Sequence, residues 1–172
     1  GSNKFVLSWA PHPRALPRAV PHSALLAATR LGLDVTLAHP EGFSLDAGVM
    51  ALAEQYAQAH GKTLTLSDDA DDAFDGADVV YAKAWSSPTV YADPDADAAL
   101  RARHADWRIG AARMARTRAA AFMHCLPVRR NVVVADEGCA GDCCAAAGGG
   151  QPSTAITTIA SPRFTVLTLR LT

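Results

Sequence analysis

Short apolar segments recur along most of the chain, and longer segments with helical spacing separate them. The apolar segments at 4–10, 34–38, 63–66, 78–82 and 120–124 have the length and composition of buried strands. Strands that alternate with helices predict right-handed βαβ crossovers and a parallel sheet covered on both faces. The predicted fold class is therefore α/β: a three-layer, doubly wound parallel sheet of the Rossmann-like type, in a single domain.

The segments between the predicted strands carry the signals of helix ends. Residues 23–31 are apolar and alanine-rich, with Ser23 placed to act as the N-cap and Gly32 to end the helix. Residues 45–60 show apolar side chains at helical spacing and are followed by Gly61. Shorter helices are predicted at 69–74, 97–103 and 113–118.

Length and composition limit the classes of protein to consider. A chain of 172 residues suits one domain with a real core, and 49% hydrophobic with 19% charged residues is ordinary globular composition. The formal net charge of −1 gives no electrostatic argument for nucleic-acid binding. No apolar run of about 18 residues suggests a membrane span. The sequence shows no secretion signal either, so a cytoplasmic location is expected.

Polar side chains follow three of the predicted strands. His12 comes after the first strand, and Lys83 comes after the strand at 78–82. The segment 124–129 begins at the end of the strand at 120–124. The carboxyl ends of parallel strands meet at one edge of a sheet, and doubly wound sheets bind their ligands at that edge. These residues are therefore candidates for one common site.

The densest of these clusters is HCLPVRRN at 124–131, which directly follows the apolar segment AAAFM at 119–123. An imidazole, a thiol, a proline-stiffened turn and two guanidiniums follow one another within a few residues. A turn of this composition suits a ligand site at the end of a strand. A purely structural turn is the alternative interpretation.

Two cationic side chains are the strongest candidates for anion binding. Lys83 interrupts an apolar strand, and because lysine is seldom buried unless paired, it is expected to meet an anion at the sheet edge. The alternative for Lys83 is a surface lysine with a buried stem. The guanidinium of Arg129 suits bidentate capture of a carboxylate, although Arg129 and Arg130 are also consistent with a solvated face.

The other candidates also have structural interpretations. A histidine after a strand, such as His12, is more often a solvated loop residue than a ligand contact. A free cysteine such as Cys125 is most often a small core residue, and Trp85 is more typical of packing or a pocket wall than of chemistry. The sequence pattern leaves these interpretations open beside a role in binding.

Three segments, in a fixed order, resemble the signatures of one enzyme family. They are WAPHPRALPRAVP at 9–21, ADVVYAKAW at 77–85 and HCLPVRRN at 124–131. Together they resemble the aspartate/ornithine transcarbamylase superfamily, and within it the branch acting on N-acylated ornithine, the N-acetyl- and N-succinylornithine carbamoyltransferases. The resemblance runs from about residue 4 to residue 137 and concerns only the C-terminal, amino-acid-binding domain.

The resemblance implies an activity and its partners. Enzymes of this branch transfer the carbamoyl group of carbamoyl phosphate to the δ-amino group of N-acylated L-ornithine, a step of arginine biosynthesis that uses no cofactor. The N-terminal domain that would hold carbamoyl phosphate is missing from this sequence, so the isolated chain is expected to turn over little or no substrate. The full enzyme is expected to be a homo-oligomer, a trimer, without a nucleic-acid or membrane partner.

The resemblance also implies roles for individual residues of this sequence. Two residues would steer the reacting amine and carbamoyl group as the catalytic part of the site, namely Cys125 and Leu126. Five others would bind the substrate, namely His12, Lys83, His124, Pro127 and Arg129. No residue is assigned to a metal, and the general base is left open.

Two departures from the family pattern bear on the substrate. His22 stands where the family signature has asparagine, so a contact through that amide cannot be carried over to this chain. Lys83 and the SSP segment at 86–88 replace the aspartate and SMG turn of the plain ornithine enzymes, which favours an acylated substrate. The choice between acetyl and succinyl groups stays open.

Residues 138–172 differ in composition from the rest of the chain. They contain three of the four cysteines and five of the twelve glycines, and the continuation that the family resemblance implies is not visible. The predicted division is a cleavage remnant at 1–2, an ornithine-binding domain at 3–137 and an atypical tail at 138–172, for which an out-of-frame origin is one hypothesis.

Within the tail, 164–171 has strand character and could pair at a sheet edge. The three cysteines of the tail have C-x3-C-C spacing, namely Cys139, Cys143 and Cys144. This spacing lacks the paired C-x2-C of a zinc site.

A second class of function remains open on the sequence alone. The chain could be a non-catalytic α/β module, derived from a transcarbamylase, that serves in binding or assembly. A nucleotide-binding interpretation is weaker, because the glycine cluster at 148–150 lies far from any predicted strand-to-helix turn.

Overall fold

One sheet organises the fold in the computed structural model, which describes residues 3–125 and 131–135 with their side chains and the backbone of 159–161 and 164–167. Its strands are β1 (Lys4–Trp9), β2 (Asp34–Ala38), β3 (Leu64–Ser67), β4 (Val79–Lys83), β5 (Ala121–His124), β6 (Ile159–Ser161) and β7 (Phe164–Leu167). They lie in the order β3-β2-β1-β4-β5-β7-β6. Strands β1 to β5 and β7 are paired in parallel, whereas β6 pairs antiparallel with β7.

The strand predictions are confirmed for β1 to β5, each to within one residue at either end. These strands were predictable because they are short apolar runs; in β1, for example, five consecutive residues are buried. The predicted strand at 164–171 is observed as β7, which lies between β5 and β6 rather than at the edge of the sheet. The antiparallel edge strand β6 was not predicted.

The helices are α1 (Ala19–Arg30), α2 (Ala47–Ala59), α3 (Ala70–Phe74), α4 (Pro94–Arg103) and α5 (Ala111–Ala115), with a 3-10 turn at Ala105–Trp107. From β1 through β3 the chain moves across the sheet in one direction, and from β3 to β4 and β5 it moves in the other. Right-handed crossovers therefore place α1 and α2 on one face and the later helices on the other. Consistent with this, α1 packs against α2, and α3 packs against α5. The predicted three-layer, doubly wound architecture is confirmed.

Three helices begin earlier than the sequence predicts, namely α1, α4 and α5, which starts at Ala111 and not at Arg113. The first starts at Ala19 and not at Ser23, which lies exposed in its second turn. Proline is tolerated in the first turn of a helix, where its missing N–H has no partner to lose, so Pro21 does not delay the start. For the same reason α4 begins at Pro94, where Asp93 caps the helix by accepting a hydrogen bond from the Ala96 amide at 2.9 Å. The predicted end of α1 is confirmed, because Gly32 has a φ of +72°.

Bulky apolar side chains fill the space between the sheet and its helices. The largest fully buried ones are Trp9, Trp85, Phe43, Phe74, Leu7, Leu25 and Leu37. The rings of Trp9 and Phe43 are in contact, with 4.7 Å between their centroids. Among the helices of the described residues, none is long and apolar enough to cross a membrane.

Candidate active site

A crevice is expected at the carboxyl ends of β1 and β4, because this is where the order of the sheet reverses. The strand that follows β1 in the chain lies on one side of it, and β4 lies on the other. The loops after β1 and β4 therefore leave the sheet in different directions, and doubly wound proteins bind ligands between two such loops. His12 lies in the first of these loops, and Lys83 is the last residue of β4.

Lys83 is buried at the end of β4, with 7% of its surface exposed. Its Nζ donates a hydrogen bond to the carbonyl oxygen of Ala84 at 2.9 Å. Within residues 3–125 and 131–135, no carboxylate lies in ion-pair range of this ammonium, and the bond to Ala84 occupies one of its three donors. Burial lowers the pKa of Lys83, and the neighbouring Cys125 partly opposes this effect. A buried cation with donors to spare is suited to receive an anionic group of a ligand.

Cys125 directly follows β5 and lies beside Lys83. Its side chain is partly exposed and is not in a disulfide. The pKa of Tyr81 is raised to about 12, mainly by burial and further by the neighbouring Cys125. Strand β4 therefore brings a hydroxyl and an ammonium, two residues apart, to one thiol at the end of the adjacent strand.

His124 lies on the other face of the sheet. It pairs with Ala82 in the parallel register of β4 and β5, whereas Tyr81 pairs with Met123. Because successive residues of a strand point to opposite faces, the imidazole is separated from Lys83 and Cys125. Its Nδ1 donates to the carbonyl oxygen of Ala82 at 2.7 Å, and the residue is 6% exposed. One ring nitrogen of His124 is thus held by β4, and its substrate contact stays a prediction.

His12 is partly buried in the loop that follows β1. Its Nδ1 lies 3.0 Å from both the backbone nitrogen and the carbonyl oxygen of Arg14, so the ring is oriented by the turn that carries it. Its contact with substrate stays a prediction.

The two loops that border the crevice are tied together by Ser86. Its Oγ accepts a hydrogen bond from the Leu16 amide at 2.9 Å, and its own amide donates to the Leu16 carbonyl oxygen at 3.0 Å. At the base of the loops, the Ala10 amide donates to the Lys83 carbonyl oxygen at 3.1 Å. Sequence analysis noted Ser86 only as a departure from another branch, because its partner lies 70 residues away.

Two buried indoles extend this connection to the loop after β2. The Nε1 of Trp9 donates to the carbonyl oxygen of Trp85 at 2.8 Å, and the Nε1 of Trp85 donates to that of Phe43 at 2.7 Å. Trp85 is fully buried, so its interpretation as a packing residue is confirmed. The loops after β1, β2 and β4 are thus joined behind the crevice.

A buried ion pair on α4 contacts the loop after β4. The Oδ1 of Asp97 on α4 accepts a hydrogen bond from the Ser87 amide at 2.7 Å. The other carboxylate oxygen of Asp97 pairs with Arg101, one helical turn later, and both residues are buried. Burial lowers the pKa of Arg101. The spacing of four residues was a signal that sequence analysis could have used, although it does not reveal burial.

A model of the aspartate/ornithine carbamoyltransferase family, for its Asp/Orn-binding domain, matches residues 18–147. The chain belongs to this family. It is 42% identical over 134 residues to the N-acetylornithine carbamoyltransferase of Xylella fastidiosa, covering 77% of this chain and 40% of that protein. It is 38% identical to the N-succinylornithine carbamoyltransferase of Bacteroides fragilis, covering 78% of this chain and 37% of that protein.

Solved structures of the same family share the fold. A crystal structure of acetylornithine transcarbamylase complexed with acetylcitrulline superposes with a TM-score of 0.77 at 39% sequence identity, covering 81% of this chain and 42% of that one. This chain therefore spans about 40% of the length of the carbamoyltransferases that it matches.

Three of the predicted site residues of this carbamoyltransferase domain lie outside the described residues, namely Leu126, Pro127 and Arg129. The tail cysteines Cys139, Cys143 and Cys144 also lie outside them. Across the described part of the chain, no group of three or more His, Cys, Asp or Glu side chains is arranged to hold a metal ion.

His22, in the first turns of α1, reaches the start of α2 through its ring. Its Nε2 is 3.4 Å from the Asp46 amide and 3.8 Å from a carboxylate oxygen of Asp46. Arg18 pairs with the other oxygen of Asp46 at 2.5 Å. The pKa of His22 is lowered mainly by burial and also by Arg18, against the opposing effect of Asp46. The imidazole thus takes part in a polar cluster that links α1 to α2.

Proposed function

We propose that this chain is the amino-acid-binding domain of an N-acylornithine carbamoyltransferase. In the proposed reaction, the δ-amino group of N-acylated L-ornithine attacks the carbonyl carbon of carbamoyl phosphate. The carbamoyl carbon gains a bond to nitrogen and loses its bond to the phosphate oxygen, while the amine gives up one proton. The products are N-acylcitrulline and phosphate, and the step would serve arginine biosynthesis in the cytoplasm.

The observation that carries this proposal is the buried ammonium of Lys83 at the point where the sheet order reverses. A cation with unused donors beside the thiol of Cys125 suits the carboxylate of an amino-acid substrate. N-Acylation removes the charge of the α-amino group, so such a substrate presents that carboxylate without an adjacent ammonium. Under this proposal, the lysine of β4 would pair with that carboxylate.

The other site residues would orient the reacting groups rather than activate them covalently. His12 on the loop after β1 would contact the acyl part of the substrate, and Arg129 would share the carboxylate with Lys83. Cys125 and Leu126 would guide the amine toward the carbamoyl carbon, and Pro127 would line the same turn. Holding two reactants in an attack geometry is itself a large part of the catalysis of such a transfer.

The proposal assigns the missing chemistry to an N-terminal domain. Residues 3–137 form the proposed ornithine-binding domain, 1–2 a cleavage remnant and 138–172 an atypical tail. Carbamoyl phosphate would be held largely by the N-terminal domain, in a trimeric enzyme. The isolated chain would then bind substrate weakly and turn over little or none.

The alternative is a non-catalytic module that kept this fold for binding or assembly. The observation in its favour is the altered composition of residues 138–172, where the continuation that the family resemblance implies is not visible. Such a module would have no reason to keep affinity for an N-acylated amino acid.

Ligand binding separates the two proposals. Titration calorimetry and NMR should detect N-acetyl- or N-succinyl-L-ornithine binding to the chain with a Kd on the order of 1 mM, equivalent to about −4 kcal/mol. Unmodified L-ornithine should bind at least tenfold more weakly, because its α-ammonium would approach Lys83. Equal affinity for all three compounds, or none for any, would favour the non-catalytic module.

A further inference from the structure

Ser86 joins the two loops that carry His12 and Lys83, the proposed contacts for the two ends of the substrate. His12 lies on the loop after β1, and Lys83 is the last residue of β4, directly before the second loop. Building on the proposed function, we propose that Ser86 is a positioning residue of the substrate crevice. Through its two hydrogen bonds to Leu16, it fixes the loop that carries His12 relative to Lys83.

The loop that carries His12 is attached to the end of β4 and the loop after it at both of its own ends. At the first end, the Ala10 amide donates a hydrogen bond to the Lys83 carbonyl oxygen at 3.1 Å. At the second end, the Leu16 amide donates to the Oγ of Ser86 at 2.9 Å, and the Ser86 amide donates to the Leu16 carbonyl oxygen at 3.0 Å. Residues 11–15 therefore form a short loop that is closed on residues 83–86.

The sequence of this closed loop makes it stiff. Ala10, His12 and Leu16 each precede a proline, which fixes its own φ and restricts the residue before it. The His12 ring is tied to the same loop, because its Nδ1 lies 3.0 Å from the backbone nitrogen and the carbonyl oxygen of Arg14. A stiff loop moves as a unit when one end is released, so the attachment at Ser86 determines where His12 lies.

The second attachment depends on a single side chain. Ser86 is 2% exposed, and its hydroxyl oxygen is the acceptor for the Leu16 amide. An amide that loses its acceptor away from water costs free energy, so alanine at position 86 would favour conformations in which the Leu16 amide turns toward water. The distance between His12 and Lys83 would then vary more widely. A substrate that contacts both residues would have to order the loop on binding, and its affinity would fall.

A double-mutant cycle between Ser86 and His12 tests this proposal. NMR titration would measure the Kd of N-acetyl-L-ornithine for the wild-type chain, Ser86→Ala, His12→Ala and the double variant. Ser86→Ala should weaken binding roughly three- to tenfold when His12 is present, and by less than about twofold when position 12 is already alanine, because Ser86 acts through His12. Ser86→Thr keeps the hydroxyl and should bind within about twofold of wild type.

Hydrogen exchange of the Leu16 amide reports on the attachment itself. In Ser86→Ala this amide should exchange roughly tenfold faster than in wild type, because its acceptor is gone. Thr117→Ala is the matched control, since the Oγ1 of Thr117 accepts from the Ala120 amide at 3.1 Å, before the start of β5 and away from the crevice. This control should leave both the Leu16 exchange rate and the Kd within about twofold of wild type. Ser86→Cys, whose sulfur is a weaker acceptor, provides the same comparison if Ser86→Ala does not fold.

An equal loss of affinity for Ser86→Ala in both backgrounds would overturn the proposal, because it would show a structural role that does not act through His12. An unchanged Kd or an unchanged Leu16 exchange rate in Ser86→Ala would overturn it as well. The proposed function survives these results as long as the wild-type chain binds N-acetyl-L-ornithine. If the wild-type chain binds no N-acylornithine, the proposed function falls, and the positioning role falls with it.

Discussion

Replacing Lys83 with methionine is expected to remove measurable binding of N-acylornithine without destabilising the chain. The ammonium is the proposed partner of the substrate carboxylate, and truncating one side of a buried charged pair typically costs about 2–5 kcal/mol of binding, or roughly 30-fold or more in Kd. Methionine has a similar length and suits the apolar surroundings. The folded chain no longer has to bury an ammonium, so the free energy of unfolding should stay constant or rise by about 0.5–2 kcal/mol.

The stability change should also depend on pH in a defined direction. Burial lowers the pKa of Lys83 below its ordinary value of 10.5, so the folded chain holds this proton less tightly than the unfolded chain. The free energy of unfolding of the wild-type chain should therefore rise as pH increases from the folded-state pKa of Lys83 toward 10.5, and it should fall again as pH is lowered through the same range. The advantage of Lys83→Met should accordingly shrink as pH approaches 10.5.

Lys62→Met is the matched control for this experiment. Lys62 pairs with Asp34 at 2.9 Å, at the amino end of β2 and away from the crevice. Its loss should cost at most about 1 kcal/mol of unfolding free energy and leave ligand affinity unchanged. Urea unfolding and calorimetry measure both quantities, and an unchanged Kd in Lys83→Met would refute the proposed role of Lys83.

Asp97→Asn should lower the free energy of unfolding by about 3–5 kcal/mol, the usual result of removing one charge from a buried ion pair. The substitution keeps an oxygen for the Ser87 amide but leaves the guanidinium of Arg101 buried without a counter-charge. The penalty arises because both side chains are almost fully shielded from water. Urea unfolding followed by tryptophan fluorescence measures the change.

Asp95→Asn is the control for Asp97→Asn, since Asp95 lies exposed in the first turn of the same helix. It should change the free energy of unfolding by no more than about 0.5 kcal/mol. Adding Arg101→Met to Asp97→Asn should recover part of the loss, because the unpaired cation is removed. A loss below 1 kcal/mol for Asp97→Asn alone would show that the pair is hydrated in solution.

The strands, and the positions of the candidate site residues at their carboxyl ends, were predictable from sequence because each depends on a local pattern. β1 to β5 are short apolar runs, and His12, Lys83 and Cys125 follow such runs directly. The start of α1 was predicted wrongly because Ser23 is a good N-cap by type, whereas Pro21 can itself occupy the first turn. In that case two local signals competed, and the tertiary packing of α1 favoured the longer helix.

The supporting residues of the site were not predictable because their roles come from long-range register. Ser86 meets Leu16 only after β1 and β4 pair. Asp97 is ten residues from Ser87, and its bond to the Ser87 amide depends on how the loop after β4 returns to α4. Tyr81 meets Cys125 because β4 and β5 are in parallel register, and the same register places His124 on the opposite face. No periodicity within one segment specifies such pairings.

The central claim, that this chain is the substrate-binding half of an N-acylornithine carbamoyltransferase, is tested most directly by carbamoyl transfer. The chain would be mixed with the separately produced N-terminal part of the Xylella fastidiosa relative and supplied with carbamoyl phosphate and N-acetyl-L-ornithine. We expect N-acetylcitrulline from the mixture, little or none from either half alone, and none when the chain carries Lys83→Met. The claim would be contradicted if the mixture formed no product while the same N-terminal part, paired with its own C-terminal domain, was active.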